Sequence, residues 1–279
     1  MKYHLHNNGW TVILDDFDLK TATQEDVNQI AKLLATNTLV VVKKQSLTVE
    51  DELRVINMFK NPQPLFTKDD ADFKNCAVDA NGIICRVTAE LNDEGEPGLA
   101  AHEDALDWHC NHPWKKDRAP LVWLFGVKGT ANSKTTWNNT ILAYDDLNDT
   151  DKETYGSIKI MAKGGMDWGD DAEQGFIMDE YNPPLVCTNN AGKTGLFFPF
   201  LQLHRFVGMT RGQSLPIINK LSEYVIQDKY CYDHYWDDGD VVIAEQWLGI
   251  HKRWPFKEID KRVLHRAVFD FPDQDYTGN

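Results

Sequence analysis

The residue types most able to do chemistry lie in one tetrapeptide, Trp108-His109-Cys110-Asn111. A non-haem iron centre holds its metal on one face through three protein groups and leaves other positions open. Two of those groups stand at positions i and i+2 of one strand or turn, and the third is a histidine from a distant strand. His109 and Asn111 have this spacing, and His251 is a distant candidate. Spacing alone is weak evidence, because most histidines in proteins need no function.

The elements that must position these residues are mostly short strands. Thr23 and Thr48 are predicted N-caps of two helices, and residues 38–42 between them form a predicted buried strand. Further strands are predicted at residues 10–14, 82–87, 121–127, 185–188, 195–198, 240–244 and 263–271, and further helices at 145–154 and 215–227. The pattern favours a mainly β protein with supporting helices and a sandwich or jelly-roll core.

Composition narrows the function classes. The 279 residues suit a single domain, and the net charge of −14 argues against binding nucleic acid through a basic face. The five cysteines are odd in number and scattered, so we expect reduced thiols and a cytoplasmic protein. No signal peptide is recognisable, and the longest apolar stretches are too short to cross a membrane.

Several motifs, in the same order over nearly the whole chain, resemble the taurine dioxygenase (clavaminate synthase-like) family of iron(II)/2-oxoglutarate oxygenases. Residues 38–42 and 45–48 match its N-terminal segment, and Trp108-His109-Cys110-Asn111 matches its Trp-His-x-Asp motif. Residues 135–137 and 143–147 match its Thr-x-Trp region. His251 and residues 261–267 match its late histidine and final basic motif. The resemblance implies a double-stranded β-helix (jelly-roll) core over residues 1–279, with variable substrate-side segments near 62–103 and 164–183.

The resemblance also implies roles for individual residues. His109 and His251 would be iron ligands, Thr135 and Arg262 would hold the distal carboxylate of 2-oxoglutarate, and Arg266 would orient its other carboxylate or an anionic substrate. A planar guanidinium suits this task because it binds a carboxylate through two parallel hydrogen bonds. The implied reaction consumes O2 and 2-oxoglutarate and hydroxylates a small substrate, with release of succinate and CO2.

Asn111 departs from the family, which has a carboxylate ligand at this position. Three outcomes stay open. Asn111 or a water ligates the metal and hydroxylation continues; chloride takes the vacated position, as in related halogenases that carry a small residue there; or the protein binds its ligand without turnover. A zinc or manganese cupin-like enzyme without 2-oxoglutarate is a further alternative, and the pair Arg262 and Thr135 argues against it.

Other candidates are less specific. Asp107 and His112 flank the motif and could replace the missing ligand, and residues 102–104 also spell His-x-Asp, without a preceding Trp. Arg86 on a predicted apolar strand, together with His112, is a candidate for contacting an anionic substrate; an ion pair with an acidic neighbour is the alternative for Arg86. The expected partner is a small molecule, and the aromatic C-terminal strands could form the interface of a homo-oligomer.

Overall fold

The computed structural model describes residues 1–163, 177–178, 181–257 and 261–276. Its strands are β1 (His4–Leu5), β2 (Val12–Leu14), β3 (Leu39–Val42), β4 (Lys60–Gln63), β5 (Cys85–Val87), β6 (Leu106–His109), β7 (Leu121–Lys128), β8 (Lys134–Asn139), β9 (Ile160–Lys163), β10 (Ile177–Met178), β11 (Val186–Thr188), β12 (Thr194–Leu196), β13 (Leu203–Phe206), β14 (Cys231–Tyr235), β15 (Val241–Glu245), β16 (Gly249–Arg253) and β17 (Val263–Asp270). Its α-helices are α1 (Gln24–Asn37), α2 (Val49–Ile56), α3 (Phe73–Cys76), α4 (Thr140–Asp145), α5 (Asp149–Gly156) and α6 (Arg211–Val225).

Two sheets build the core. The major sheet has eight strands in the order β1-β2-β3-β15-β7-β17-β4, with β5 also paired to β17. The minor sheet has four strands in the order β14-β8-β16-β6. Pairing is antiparallel throughout both sheets except between β2 and β3. Trp137 and Trp236 pack with Val122, Val242 and Leu264 in one apolar cluster, which joins the two sheets.

Helices α1 and α2 cover the other face of the major sheet. Each begins directly after the predicted N-cap threonine, because Thr23 and Thr48 both form capping boxes with the aspartate three residues later. Ile30 of α1 packs in one cluster with Trp123 and Ile243 of the sheet, so this face of the sheet is closed by helices.

Strand β17 contributes side chains to both faces of the major sheet, because successive side chains of a strand point to opposite sides. Leu264 and Val268 join the cluster between the sheets, whereas Ala267 and Phe269 join the cluster under the helices. His265, on the helix side, pairs with the buried Glu52 of α2 at 2.6 Å. The same alternation directs Arg266 towards the space between the sheets.

The structure corrects several sequence predictions. The helix predicted at residues 145–154 is wrong as a single element: α4 ends at Asp145, and α5 starts after the N-cap Asn148. The helix predicted at 215–227 begins four residues earlier, because Thr210 and Gln213 form a capping box. No strand of the minor sheet was among the predicted strands. The variable segment near 164–183 lies largely outside the described residues.

The expected fold class is confirmed: the chain is mainly β, with helices packed on the outside of the larger sheet. None of the helices in the described ranges is both long and apolar enough to cross a membrane.

Candidate active site

His109 and His251 lie side by side on neighbouring strands of the minor sheet. His109 on β6 and His251 on β16 are cross-strand partners of each other, and their ring centroids are 4.2 Å apart. Trp137 of β8 is the partner of His251 on its other side and stacks on its ring at 4.6 Å. Register alone therefore brings together two rings that are 142 residues apart in the sequence (251 − 109).

Both histidines are in the neutral form that binds metals. Burial lowers the pKa of His109 to about 4, and burial together with the neighbouring His109 lowers the pKa of His251. Nδ1 of His109 lies 2.6 Å from the carbonyl oxygen of Asp107. A carbonyl only accepts, so Nδ1 must carry the proton and Nε2 keeps the lone pair that a metal would use. Nδ1 of His251 is buried and has no hydrogen-bond partner among the described residues.

Both polar ends of the Asn111 amide are hydrogen-bonded to other protein groups. Its Oδ1 accepts hydrogen bonds from Nε and Nη2 of Arg266 at 3.0 and 2.5 Å. Its Nδ2 donates to Oε1 of Gln246 at 2.6 Å. In the described ranges, no group of three or more His, Cys, Asp or Glu side chains could hold a metal. The two histidines thus fit two positions of a metal site, and the third protein position carries no charge.

A cavity of about 240 Å³ adjoins the histidines and Asn111. One part of its wall is apolar, with Leu65, Val87, Leu99, Leu106, Trp114 and Leu124. The other part carries the buried Arg253, Arg262 and Arg266, and no acidic residue lines the cavity within the described chain.

The three arginines remain cationic. Burial lowers the pKa of Arg253 to about 10, of Arg262 to about 9 and of Arg266 to about 10. The Nε atoms of Arg253 and Arg262 are buried without a hydrogen-bond partner in the described structure. None of the three arginines forms a salt bridge within the described residues, although Asp104 partly offsets the lowering of the pKa of Arg253. Because buried unpaired cations are costly, the cavity suits an anion.

Of the remaining predicted residues, two reach the cavity and one does not. Thr135 lines it, and its hydroxyl oxygen accepts a hydrogen bond from Nε1 of Trp236 at 3.0 Å. His112 lines it too, next to Trp114. Arg86 is not among the lining residues. Its guanidinium binds the backbone carbonyls of Asn75, Glu90 and Glu96, rather than an acidic side chain or the cavity. A substrate contact by Arg86 stays a prediction that these bonds do not support.

The other alternative ligands, Asp107 and the second His-x-Asp sequence at residues 102–104, lie outside the cavity wall. The Asp107 carboxylate pairs with Lys252 at 3.0 Å and is half exposed. In the second His-x-Asp sequence, the carbonyls of His102 and Asp104 accept hydrogen bonds from Arg253. That stretch therefore acts as a loop held by an arginine.

Three residues of the site were missed in the sequence. Arg253 stands two positions after His251 on β16, so the i, i+2 rule places it on the same face and could have found it. Gln202 and Gln246 accept hydrogen bonds from the backbone N–H groups of Cys110 and Asn111, each at 3.0 Å. Nothing in the sequence around these glutamines marks such a contact.

Comparison with known proteins agrees with this architecture. The family model described as taurine catabolism dioxygenase TauD, TfdA family matches residues 4–268. The alpha-ketoglutarate-dependent 2,4-dichlorophenoxyacetate dioxygenase of Cupriavidus pinatubonensis is 22% identical, with 91% of this chain and 92% of that protein covered. Pentalenolactone F synthase of Streptomyces arenae is 18% identical, with 67% and 69% covered.

Solved structures share the fold. A taurine dioxygenase from Burkholderia xenovorans superposes with a TM-score of 0.73 at 19% identity, covering 93% of this chain and 85% of that one. AAD-2, solved in complex with Mn(II) and N-oxalylglycine, has a TM-score of 0.72 at 15% identity, and the match covers 100% of both chains. Because the family model spans nearly the whole sequence, the chain belongs to the TauD/TfdA family, whose members are 2-oxoglutarate-dependent dioxygenases and hence oxidoreductases.

Proposed function

We propose that the chain binds Fe(II) through His109 and His251 and 2-oxoglutarate through Thr135 and Arg262, and that it uses O2 to hydroxylate a small substrate. One observation carries this proposal: two adjacent neutral histidines share a cavity with buried arginines and no described acidic residue. A divalent cation and a dicarboxylate would complement those two sets of groups.

The contacts of this chain suggest how the co-substrate would be held. The distal carboxylate of 2-oxoglutarate would receive two hydrogen bonds from Arg262, whose guanidinium stacks over Phe256 at 4.3 Å and keeps an unpartnered Nε. The Thr135 hydroxyl would donate a third, because its oxygen already accepts from Trp236. The Fe(II) would supply the redox chemistry that couples decarboxylation of 2-oxoglutarate to oxidation of the substrate.

The apolar part of the wall points to a substrate with an apolar body. Leu99, Leu106 and Trp114 would exclude water from the bound molecule. An anionic substrate group is compatible with the arginines that remain, and a relative named for 2,4-dichlorophenoxyacetate is consistent with such a molecule.

A second candidate function rests on Asn111. Because both polar ends of its amide are occupied within the protein, metal affinity would fall and the chain could bind its ligands without turnover. A chloride at the third position would instead give a halogenase-like enzyme. We place hydroxylation first because His109 keeps the second-sphere contact that supports a metal ligand.

An anaerobic titration tests the proposal. Fe(II) and then 2-oxoglutarate are added to the purified protein, and the visible metal-to-ligand charge-transfer band is recorded. We expect a band that His251→Ala and Arg262→Ala both lose. Arg205→Ala is the matched control, because Arg205 of β13 binds backbone carbonyls outside the cavity. It should keep the band.

The outcomes separate the alternatives. A band followed by substrate-stimulated succinate release supports the oxygenase. A band without succinate release for any substrate favours the silent binding protein. No band and no bound iron would rule out the metal site.

A further inference from the structure

Gln246 has only one orientation that satisfies its surroundings. Its Nε2 donates to the carbonyl oxygen of Ala119 at 3.0 Å, and its Oε1 accepts from the backbone N–H of Asn111 at 3.0 Å. A carbonyl can only accept and an N–H can only donate, so rotating the amide by half a turn would break both bonds. Gln246 is buried, and water cannot replace them.

This fixed orientation dictates the chemistry of residue 111. Oε1 of Gln246 faces the side chain at 2.6 Å, where only a donor is acceptable. On its other side, Arg266 offers only N–H groups, so an acceptor is required there. A side chain that carries one donor and one acceptor at the length of Asn meets both demands. A carboxylate has two acceptors and would place an oxygen against Oε1.

We infer that Gln246 is a positioning residue that, together with Arg266, specifies an amide at position 111. The neutral third position beside His109 and His251 is thus built into the fold by a buried glutamine and is not a simple loss of a carboxylate. It follows that restoring aspartate at position 111 alone does not restore a favourable carboxylate position. A change at Gln246 is needed as well.

A double-mutant cycle tests the inference on the metal-free protein. Urea unfolding is measured with a chelator for the parent chain, Asn111→Asp, Gln246→Met and the double variant; methionine keeps the length of glutamine without its acceptor. We expect the two changes to be coupled. The equilibrium constant for unfolding of the double variant should be about tenfold smaller than the value expected if the effects of the two single changes simply combined. Gln202→Met is the matched control. It removes only the bond to Cys110 and should combine additively with Asn111→Asp.

Additive effects of Asn111→Asp and Gln246→Met would overturn the inference. If Asn111→Asp fails to fold, a cooperative transition regained in the double variant supports the inference. Its absence there, while Gln246→Met alone folds, contradicts it.

A metal measurement adds a second readout, and only this part rests on the proposed function. Mn(II) binding is followed by calorimetry in the same variants. We expect the double variant to bind Mn(II) about tenfold more tightly than Asn111→Asp, because a metal-bound carboxylate in Asn111→Asp would keep one oxygen close to Oε1 of Gln246, and the double variant lacks this repulsion. Equal affinities in these two variants would contradict the role of Gln246. If no variant binds Mn(II), the proposed metal site fails, and the unfolding cycle still decides whether Gln246 specifies the amide.

Discussion

The two sheets differ in what they contribute. All residues of β3 and β15 in the major sheet are buried, with helices on one face and the minor sheet on the other. In the minor sheet, β14 exposes Asp233 and Tyr235 on either side of the buried His234, and β8 buries Thr135, Thr136 and Asn138. The major sheet is therefore mainly a source of apolar burial, whereas the minor sheet presents polar groups at defined positions.

The cavity is lined by residues of both sheets. The minor sheet supplies the histidines and Arg253, and β17 of the major sheet adds Arg266. The comparison implies that most substitutions should affect either stability or ligand binding, according to the sheet and face that carry them.

Two tryptophans give the largest expected contrast. Trp123 of β7 is 0% exposed, and its Nε1 donates to Glu52 at 3.0 Å. Trp123→Ala should lower the free energy of unfolding by about 3–5 kcal/mol, because it opens a cavity and removes a bond from a buried carboxylate. Trp254, beside the minor sheet, is 39% exposed and donates to Thr136. Trp254→Ala should cost less than about 1 kcal/mol in urea unfolding. Equal losses of unfolding free energy in the two variants would contradict the conclusion that the major sheet is the main source of stability.

The next largest expected effect is a pH dependence of stability caused by Glu245. This buried residue ends β15, and burial raises its pKa to about 7 although the N–H groups of Trp247 and Leu248 donate to it. Between the unfolded pKa of 4.5 and about 7, the folded protein holds a proton that the unfolded chain releases. The free energy of unfolding should therefore fall as pH rises through this window, by about 3 kcal/mol in total.

Glu245→Gln should remove that contribution. The measurement is the difference in unfolding free energy between the parent chain and the variant from pH 5 to pH 8, since other groups titrate equally in both. A difference that does not change with pH would show that Glu245 does not titrate in this window.

A pair of arginines provides the smallest effect. Arg262→Lys should weaken 2-oxoglutarate binding by about tenfold, because an ammonium cannot form two parallel bonds to a carboxylate. Arg54 of α2 donates to the carbonyls of Leu19, Lys20 and Ala22 and lies away from the cavity. Arg54→Lys should reduce stability and leave the affinity unchanged. Calorimetric titration with Fe(II) present and thermal unfolding distinguish the two variants; the reverse result would break the comparison.

The same contrast explains how much could be predicted from the sequence. Strands β3, β7 and β15 were predicted because they are nearly continuous apolar runs, which is typical of strands buried on both faces. The strands of the minor sheet were missed because they mix lysine, threonine, asparagine and histidine and show no clear period. Their pairing depends on contacts with distant segments, which a local pattern does not contain.

Site prediction had a similar limit. Motif order identified His109, Thr135, His251, Arg262 and Arg266, all of which line one cavity, although their roles stay predictions. The bonds of Asn111 were not predictable, because Gln246 is 135 residues away and its orientation depends on Ala119.

The alternation along β17 limits how this part of the gene can change in length. Loss of one codon between Arg262 and Arg266 would move each following side chain to the opposite face of the sheet. Arg266 would then take the position of His265 beside Glu52. It would form a new ion pair under α2, while the cavity received an alanine in its place. Such a protein could fold and yet lose its anion site. Loss of two residues would keep Arg266 on the cavity side, but it would move the arginine two positions along β17 and put Val268 in its present position. The anion site therefore requires both the face and the length of this strand to be kept.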